Sequence, residues 1–276
     1  MVCIWFINSV KMINVNSVIA SQFDKSALDF ISAANLTIES NRLAIQYLVF
    51  QLKAKNLWNK MRVIYPFVGG NATSHRYNLK NPALTTAAFA ITFTGGWTHS
   101  ANGIQGNGTT NVGNTNFNPR SHLTSATSTS HGIYVRNNVT GVYAGCNNLA
   151  IGASQNYLLI QRNTSTTYAP TINSESTTFG TMTTASAAGF NVFNRTSSTN
   201  IRGYQNGLKL LDTTQALTNS PNYEYFIGCR NNVGSAANYT TAEIAFHYIG
   251  DTLTDNEVSD MYTIIQQYQT ILGRQV

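Results

Sequence analysis

The sequence predicts a mainly β protein, an antiparallel β-sandwich with an N-terminal helix and a C-terminal helix. Three observations lead there. Asn, Ser and Thr number 33, 22 and 34, together 89 of 276 residues. Their side chains compete for nearby backbone groups, so they suit turns and, for threonine, strands better than helix interiors. Between Val63 and Gly250, short apolar runs of strand length alternate with Gly, Asn and Ser clusters, the pattern of a sandwich or barrel. Strong helical periodicity is confined to two stretches, one near each end. A length of 276 residues with 42% apolar content fits one large all-β domain with additions. The expected organisation is an arm and amphipathic helix over 1–62, the sandwich over 63–250, and a helix packed on it over 251–276.

The chain opens with "MVCIWFINSV", which is apolar. No basic residue precedes that run, Lys11 follows it, and no small-x-small site comes after it, so it reads as an ordered arm or strand rather than a leader. A short helix is expected near "KSALDFISAA". In "TIESNRLAIQYLVFQLKAKNLWNKM", Ile45, Leu48, Val49 and Leu52 fall at i, i+3, i+4 and i+7, one face of a helix. Thr37 is the expected cap, with Glu39 in the first turn and Lys53, Lys55 and Lys60 towards the far end, as the helix dipole favours.

Strands follow in "AAFAITFTG", "HGIYVRNN", "GVYAG", "NYLLIQRN", "FNVFNRT" and their successors. In "FNVFNRTSSTNIRGYQNGLKLL" a Ser-Ser-Thr-Asn turn returns the chain antiparallel. Asn206-Gly207 then supplies the positive-φ pair of a type I′ hairpin. The final helix is marked by Thr254 with Glu257 three residues on, a capping box. Val258, Met261, Ile264, Ile265, Tyr268, Ile271 and Leu272 follow at helical spacing. Asp251, Asp255, Glu257 and Asp260 gather at its N-terminal end, where the dipole accounts for them.

Charge narrows the function. Only 10% of residues are charged, against roughly 25% in average soluble proteins. The net charge is +6, and no Asp or Glu occurs from Ser40 to Ser174 while ten basic residues do. Five of these, Arg42 to Arg62, lie on the first long helix and its end, and the rest are scattered. A nucleic-acid surface needs clustered cations with aromatic platforms, so none is expected. No stretch approaches the ~18 apolar residues of a membrane span. Cys3, Cys146 and Cys229 are far apart, which suits buried thiols rather than a disulfide framework or zinc site.

Glycan hydrolysis uses two carboxylates across a cleft. The strand region offers only Glu175, Asp212 and Glu224, well separated in sequence. There is no G-x-S-x-G, P-loop or dinucleotide fingerprint. His75, His99 and His122 lack the short paired spacing of a metal site. No catalytic residue, metal or cofactor is therefore expected. The segment "TFTGGWTHSANGIQGNGTTNVGNTNFNP" carries no charged side chain. It reads first as scaffold, with Gly95-Gly96 allowing close backbone passage and Asn and Thr satisfying their own turns. Sugars are bound by amides, hydroxyls and aromatic faces, so Trp97, His99, Asn102, Tyr134 and Tyr143 are the candidate glycan contacts.

The run "GIQGNGTTNVGNTNFNP" followed by "SATSTSHGIYVRNN" resembles the opening of a concanavalin A-like, laminin-G-like jelly roll. Gly106 to Thr109 would form its turn and His131 to Arg136 would begin its inner strand. "FNRTSSTNIRGYQNGLKLLD", "YEYFIGCRN" and "AEIAFHYIGDTLTDNEVSDMYTIIQQY" resemble the later hairpin, the strand after it, and the closing strand plus helix. The resemblance covers roughly 90–270. More narrowly, "LVFQLKAKNLWNKMRVIYPFVGGNATSHRYNLKNP", "FTGGWTHSANG" and the ending "YQTILGRQV" resemble tailed-bacteriophage virion proteins that carry this fold. That resemblance implies a non-enzymatic fibre, spike, baseplate or capsid-associated subunit located in the virion. Its partners would be other virion proteins, further copies of itself in a homo-oligomer, and a host-surface glycan. A free-standing secreted or surface lectin is the alternative, and a glycan-cleaving enzyme using Glu175 or Glu224 a third.

Overall fold

Helices, a first sheet and a second sheet stack in that order. The structure, a computed structural model, describes residues 23–148, 156–175 and 180–276. The apolar opening and Cys3 lie outside the described residues, as does most of the expected arm.

The first sheet runs in the order β14 (Leu208–Thr214), β13 (Asn200–Gln205), β12 (Gly189–Arg195), β6 (Thr129–Val135), β18 (Glu243–Gly250), β4 (Gly103–Gly106) and β3 (Trp97–Ser100). Strand β1 (Met61–Tyr65) joins the end of β18 beside β4. The second sheet runs β11 (Met182–Thr183), β9 (Thr167–Tyr168), β8 (Asn156–Thr164), β7 (Gly141–Asn148), β15 (Phe226–Ile227), β5 (Val112–Asn114) and β2 (Thr92–Thr94). Strand β10 (Thr171–Glu175) extends the β9 edge along β8, and β16 (Arg230–Asn232) pairs with β17 (Ser235–Ala237). The pairing is antiparallel apart from β16, which lies parallel to β7. This is the expected jelly-roll sandwich.

Period-two alternation sorts the first sheet's side chains between two cores. Ile133, Val135, Phe193, Ile244 and Ile249 point to the second sheet and meet Tyr143, Leu158, Ile160 and Ile172. Tyr134, Phe190, Val192, Phe246 and Tyr248 point the other way, into the helical layer. That layer comprises α1 (Lys25–Ala33), α2 (Glu39–Ala54) and α4 (Asp255–Ile271), with a short α3 (Pro119–His122) elsewhere. The expected face of α2, Ile45, Leu48, Val49 and Leu52, is fully buried there, as are Val258, Met261, Ile265 and Tyr268 of α4. Covering both faces is why β6 and β12 are buried at every residue.

The capping box forms, with Thr254 Oγ1 accepting the Glu257 N–H at 3.2 Å and Glu257 Oε2 accepting the Thr254 N–H at 2.8 Å. Thr37 does not cap α2: the N-cap is Ile38, extended and without a side-chain bond, so Thr37 sits one residue too early. Asp24 caps α1 by accepting from the Ser26 N–H at 2.8 Å, and it also pairs with Lys53 of α2 at 2.7 Å. The β13–β14 turn has Asn206 at φ 50° and Gly207 at φ 79°, the geometry its sequence demands. Cys146 and Cys229 are buried free thiols, and burial holds the Cys229 thiol up at about 12.

Arg274 is the main tether of the residues after α4, beside the Tyr134 hydroxyl. Arg274 is 2% exposed and reaches four backbone carbonyls: Phe67 at 2.7 Å, Ala101 at 3.0 Å, Pro66 at 2.9 Å and Ala245 at 2.8 Å. Its Nε donates to Gln269 Oε1 at 2.7 Å. The Ala245 carbonyl needs this donor because the β18–β6 register skips between Ile244 and Phe246. One guanidinium thus joins α4, the segment after β1, the β3–β4 turn and β18.

Candidate functional site

The uncharged segment behaves as scaffold with one slot in it. Gly95 has φ +75°, and a Cβ there would lie 1.8 Å from the Thr110 carbonyl oxygen, so the backbone can pass only because no side chain is present. Asn107 Oδ1 accepts the N–H groups of Thr109 and Thr110, each at 3.0 Å, and Asn111 Nδ2 donates to the Gly228 carbonyl at 2.9 Å. Trp97 lies half-buried in a slot beside Gly228, where a Cβ would meet its ring at 2.4 Å. Its Nε1 donates inward to the carbonyls of Thr94 at 3.0 Å and Val112 at 3.2 Å.

The structure brings Trp97 and His99 together on β3 and places Asn102 in the turn that follows. His99 packs edge-on to Phe93 with centroids 4.8 Å apart, and its Nδ1 lies 3.0 Å from Nδ1 of His75. Tyr134 and Tyr143 do not join them. Tyr134 is buried under the helical layer, where its hydroxyl accepts the Val276 N–H at 2.8 Å. Tyr143 is buried between the sheets, edge-on to Tyr168, with its hydroxyl donating to the Val139 carbonyl. Neither ring offers a face to an external sugar; their strands fill two different cores, a distinction that a single sequence does not carry.

The histidines divide in the same way. His75 and His99 touch, whereas His122 lies with Phe89 and Phe117, and among the described residues no group of three His, Cys, Asp or Glu could hold a metal ion. His131 and His247 are fully buried between the sheets around Tyr225, whose hydroxyl is 3.0 Å from His131 Nδ1. Burial pushes His75, His131 and His247 well down, His131 to about 3.

Carboxylates are almost all committed to cations. Among the described residues nine of the eleven form ion pairs, leaving Glu175 and Glu224. Glu175 faces Asn156 across β10–β8, and Glu224 precedes β15 on the far side of β7. Three strand spacings of ~4.8 Å put their backbones about 14 Å apart.

The sequence did not disclose a cleft of about 470 Å³ whose lining includes Arg62, Lys80, Phe89, Phe117 and His122. It shares Asn59 with a smaller depression of about 290 Å³ beside Trp58 and Lys53. Phe89, Phe117 and His122 form an aromatic cluster with centroid separations of 5.3, 4.7 and 5.4 Å. Phe89 sits at φ 58°, ψ 35°, a left-handed conformation that costs a bulky residue roughly 1–3 kcal/mol. The Thr86 carbonyl, accepting its N–H at 2.9 Å, and the Tyr65 hydroxyl, donating to its carbonyl at 2.8 Å, hold it there.

Lys80 lies across this cleft. Its Nζ donates to the Trp58 carbonyl at 2.7 Å and stands 3.9 Å from the Trp58 ring centroid. The other described lysines, Lys25, Lys53, Lys55, Lys60 and Lys209, each pair with a carboxylate; Lys80 has none among the described residues. Burial, then Lys53 and Arg62, lower its ammonium to about 8, so it remains charged at neutral pH. His122 Nδ1 accepts the Asn118 N–H at 2.9 Å, which leaves Nε2 as the proton-bearing nitrogen of the neutral ring.

No protein-family model matches the chain, and no curated protein matches it. Solved structures do. A sialidase from Trypanosoma rangeli in complex with sialic acid aligns with a TM-score of 0.55 at 9% identity, over 81% of this chain and 39% of that one. A mutant of that sialidase displaying trans-sialidase activity gives 0.54 at 10% identity, over 83% and 39%. Domain 4 of an extracellular GH43 arabinanase from Geobacillus stearothermophilus, in complex with arabinotriose, gives 0.48 at 14% identity, over 74% and 98%. The chain spans about two fifths of the sialidase's length. At these identities the sialidase likeness is one of fold, and it places this chain among β-sandwich proteins.

Proposed function

We propose that this chain is a non-catalytic structural subunit of a bacteriophage virion that makes assembly contacts through its helical layer and binds a host-surface saccharide on its sandwich side. The observation that carries the assembly reading is an apolar row on the outside of α1 and α2. Leu28, Ile38, Leu43 and Phe50 are 38%, 60%, 47% and 62% exposed. Leu43 and Phe50 are seven residues apart, two helical turns, and so share a face. Leu28 and Leu43 line one depression, and exposed apolar side chains gathered in this way mark a contact site. Its surroundings carry both signs of charge, in the Glu39–Arg42 and Lys25–Asp29 pairs. A mixed-sign rim can complement itself across a two-fold axis, so the occupant we assign is a second copy of this chain.

The commitment of nine of the eleven carboxylates to cations supports a non-catalytic role. Polysaccharide cleavage abolished by Glu175→Gln or Glu224→Gln would overturn it. Sedimentation of the full chain tests assembly: an oligomer is expected, and Phe50→Glu should yield a monomer with an unchanged circular dichroism spectrum. A wild-type chain that stays monomeric at high micromolar concentration contradicts the self-association. Mass spectrometry of purified particles tests the location, and absence of the chain there would favour a free-standing lectin.

A further inference from the structure

We propose that the cleft between β1, the segment joining β1 to β2, and α3 binds an acidic saccharide, with Lys80 taking its carboxylate and the Phe89–His122 wall taking its ring. The inference rests on the saccharide half of the reading above and is independent of assembly.

The charge argument comes from pairing. The five basic residues from Arg42 to Arg62 are each matched by a carboxylate: Glu39, Asp24, Asp260, Glu257 and Asp251. The cationic look of this segment is therefore cancelled locally. What remains in the cleft is one half-buried ammonium without a counter-charge, beside an Arg62 already engaged by Asp251 at 3.2 Å. A single uncompensated cation suits one carboxylate per ligand. It does not suit a phosphate backbone, which needs a track of cations.

The shape argument is separate. About 470 Å³ lies within the usual range for small-ligand sites, roughly 300 to 1,000 Å³. The walls combine half-buried Phe89, for the apolar face of a sugar ring, with the exposed Ser121 hydroxyl and the exposed His122 imidazole for its hydroxyls. The Phe89 backbone is fixed in its unfavourable conformation by bonds from two directions, and its ring packs edge-on against Phe117 and His122, so the wall is in place without a ligand. The depression at Asn59 continues the groove towards Trp58, which suits an oligosaccharide better than a monosaccharide.

The test is calorimetric titration of the full chain at pH 7 with tri-galacturonate and its methyl ester, and with glucuronate- and sialyl-containing oligosaccharides. At least one acidic oligosaccharide should bind, and at least tenfold more tightly than its neutral ester. Lys80→Gln, which keeps the side chain's bulk, should reduce acid binding to the level of the ester. Raising the pH from 7 to 9.5 should weaken wild-type binding at least tenfold as the ammonium deprotonates, and should leave Lys80→Gln unchanged. His122→Ala should weaken acid and ester alike. Equal binding of acid and ester, unchanged binding by Lys80→Gln, or no binding across the acidic set would each overturn the proposal. So would tighter, Lys80-dependent binding of a single-stranded oligonucleotide. None of these outcomes bears on sedimentation of the chain, so failure here is separable from failure of the assembly reading.

Discussion

Replacing Arg274 by Met tests whether the C-terminus is held by hydrogen bonding or only by packing. Methionine keeps much of the aliphatic stem and removes all five N–H donors. The carbonyls of Phe67, Ala101 and Ala245 would lose the donor observed for them, while Pro66 would keep the Tyr268 hydroxyl at 2.8 Å. A buried carbonyl without a donor costs roughly 1–3 kcal/mol. Phe67 and Ala245 are buried, whereas Ala101 is exposed and its carbonyl can turn to water, so two such groups set the scale at roughly 2–6 kcal/mol. An opposing effect exists: Arg274 is buried without a carboxylate, and burial lowers its pKa, so its removal relieves a desolvation cost. The net loss should be about 2–4 kcal/mol once that relief is set against the two buried carbonyls. For a chain of this size that corresponds to a Tm lower by roughly 10 °C. Urea unfolding followed by tryptophan fluorescence and by circular dichroism would measure it. A loss below about 1 kcal/mol would refute the reasoning, because the desolvation cost would then equal the whole hydrogen-bond contribution.

Acidification should destabilise the fold earlier than carboxylate titration alone would. His75, His131 and His247 are held neutral by burial, with folded-state pKa values below the ordinary 6.5. Their stabilising contribution is fully present above pH 6.5 and falls as pH drops, by about 1.4 kcal/mol per pH unit per group, or about 4 together. Urea midpoints should therefore decline steeply between pH 6.5 and 5, and a flat profile there would contradict neutral burial. Gly95→Ala should be poorly tolerated, since its Cβ would meet the Thr110 carbonyl oxygen at 1.8 Å; a thermal midpoint within 2 °C of wild type would show that the two segments can part freely. Thr254→Ala removes the cap of α4 and should cost about 1 kcal/mol, read as a shift in urea midpoint that Thr254→Ser restores.

What the sequence made legible was whatever is decided locally. The capping box of α4, the Asn206-Gly207 hairpin and the apolar face of α2 each depend on residues a few positions apart, and each is found where expected. The misplacement of Tyr134 and Tyr143 has a different origin. A strand covered on one face reads as alternation, but β6 is buried on both, so "TSHGIYV" carries no mark of which residues see solvent. The helical layer that covers it is tied to the turn before β1 by the Lys60–Glu257 pair, 197 residues apart. Lys80 is the sharpest instance. In the sequence it is one of ten bases in an acid-free stretch. Its distinctness appears only when the five bases of the preceding segment find acids elsewhere in the chain and it does not. The same pairing that removes nine carboxylates from possible chemistry thus isolates Lys80, the one lysine among the described residues without a carboxylate, as the ammonium left to meet a charged ligand in this cleft.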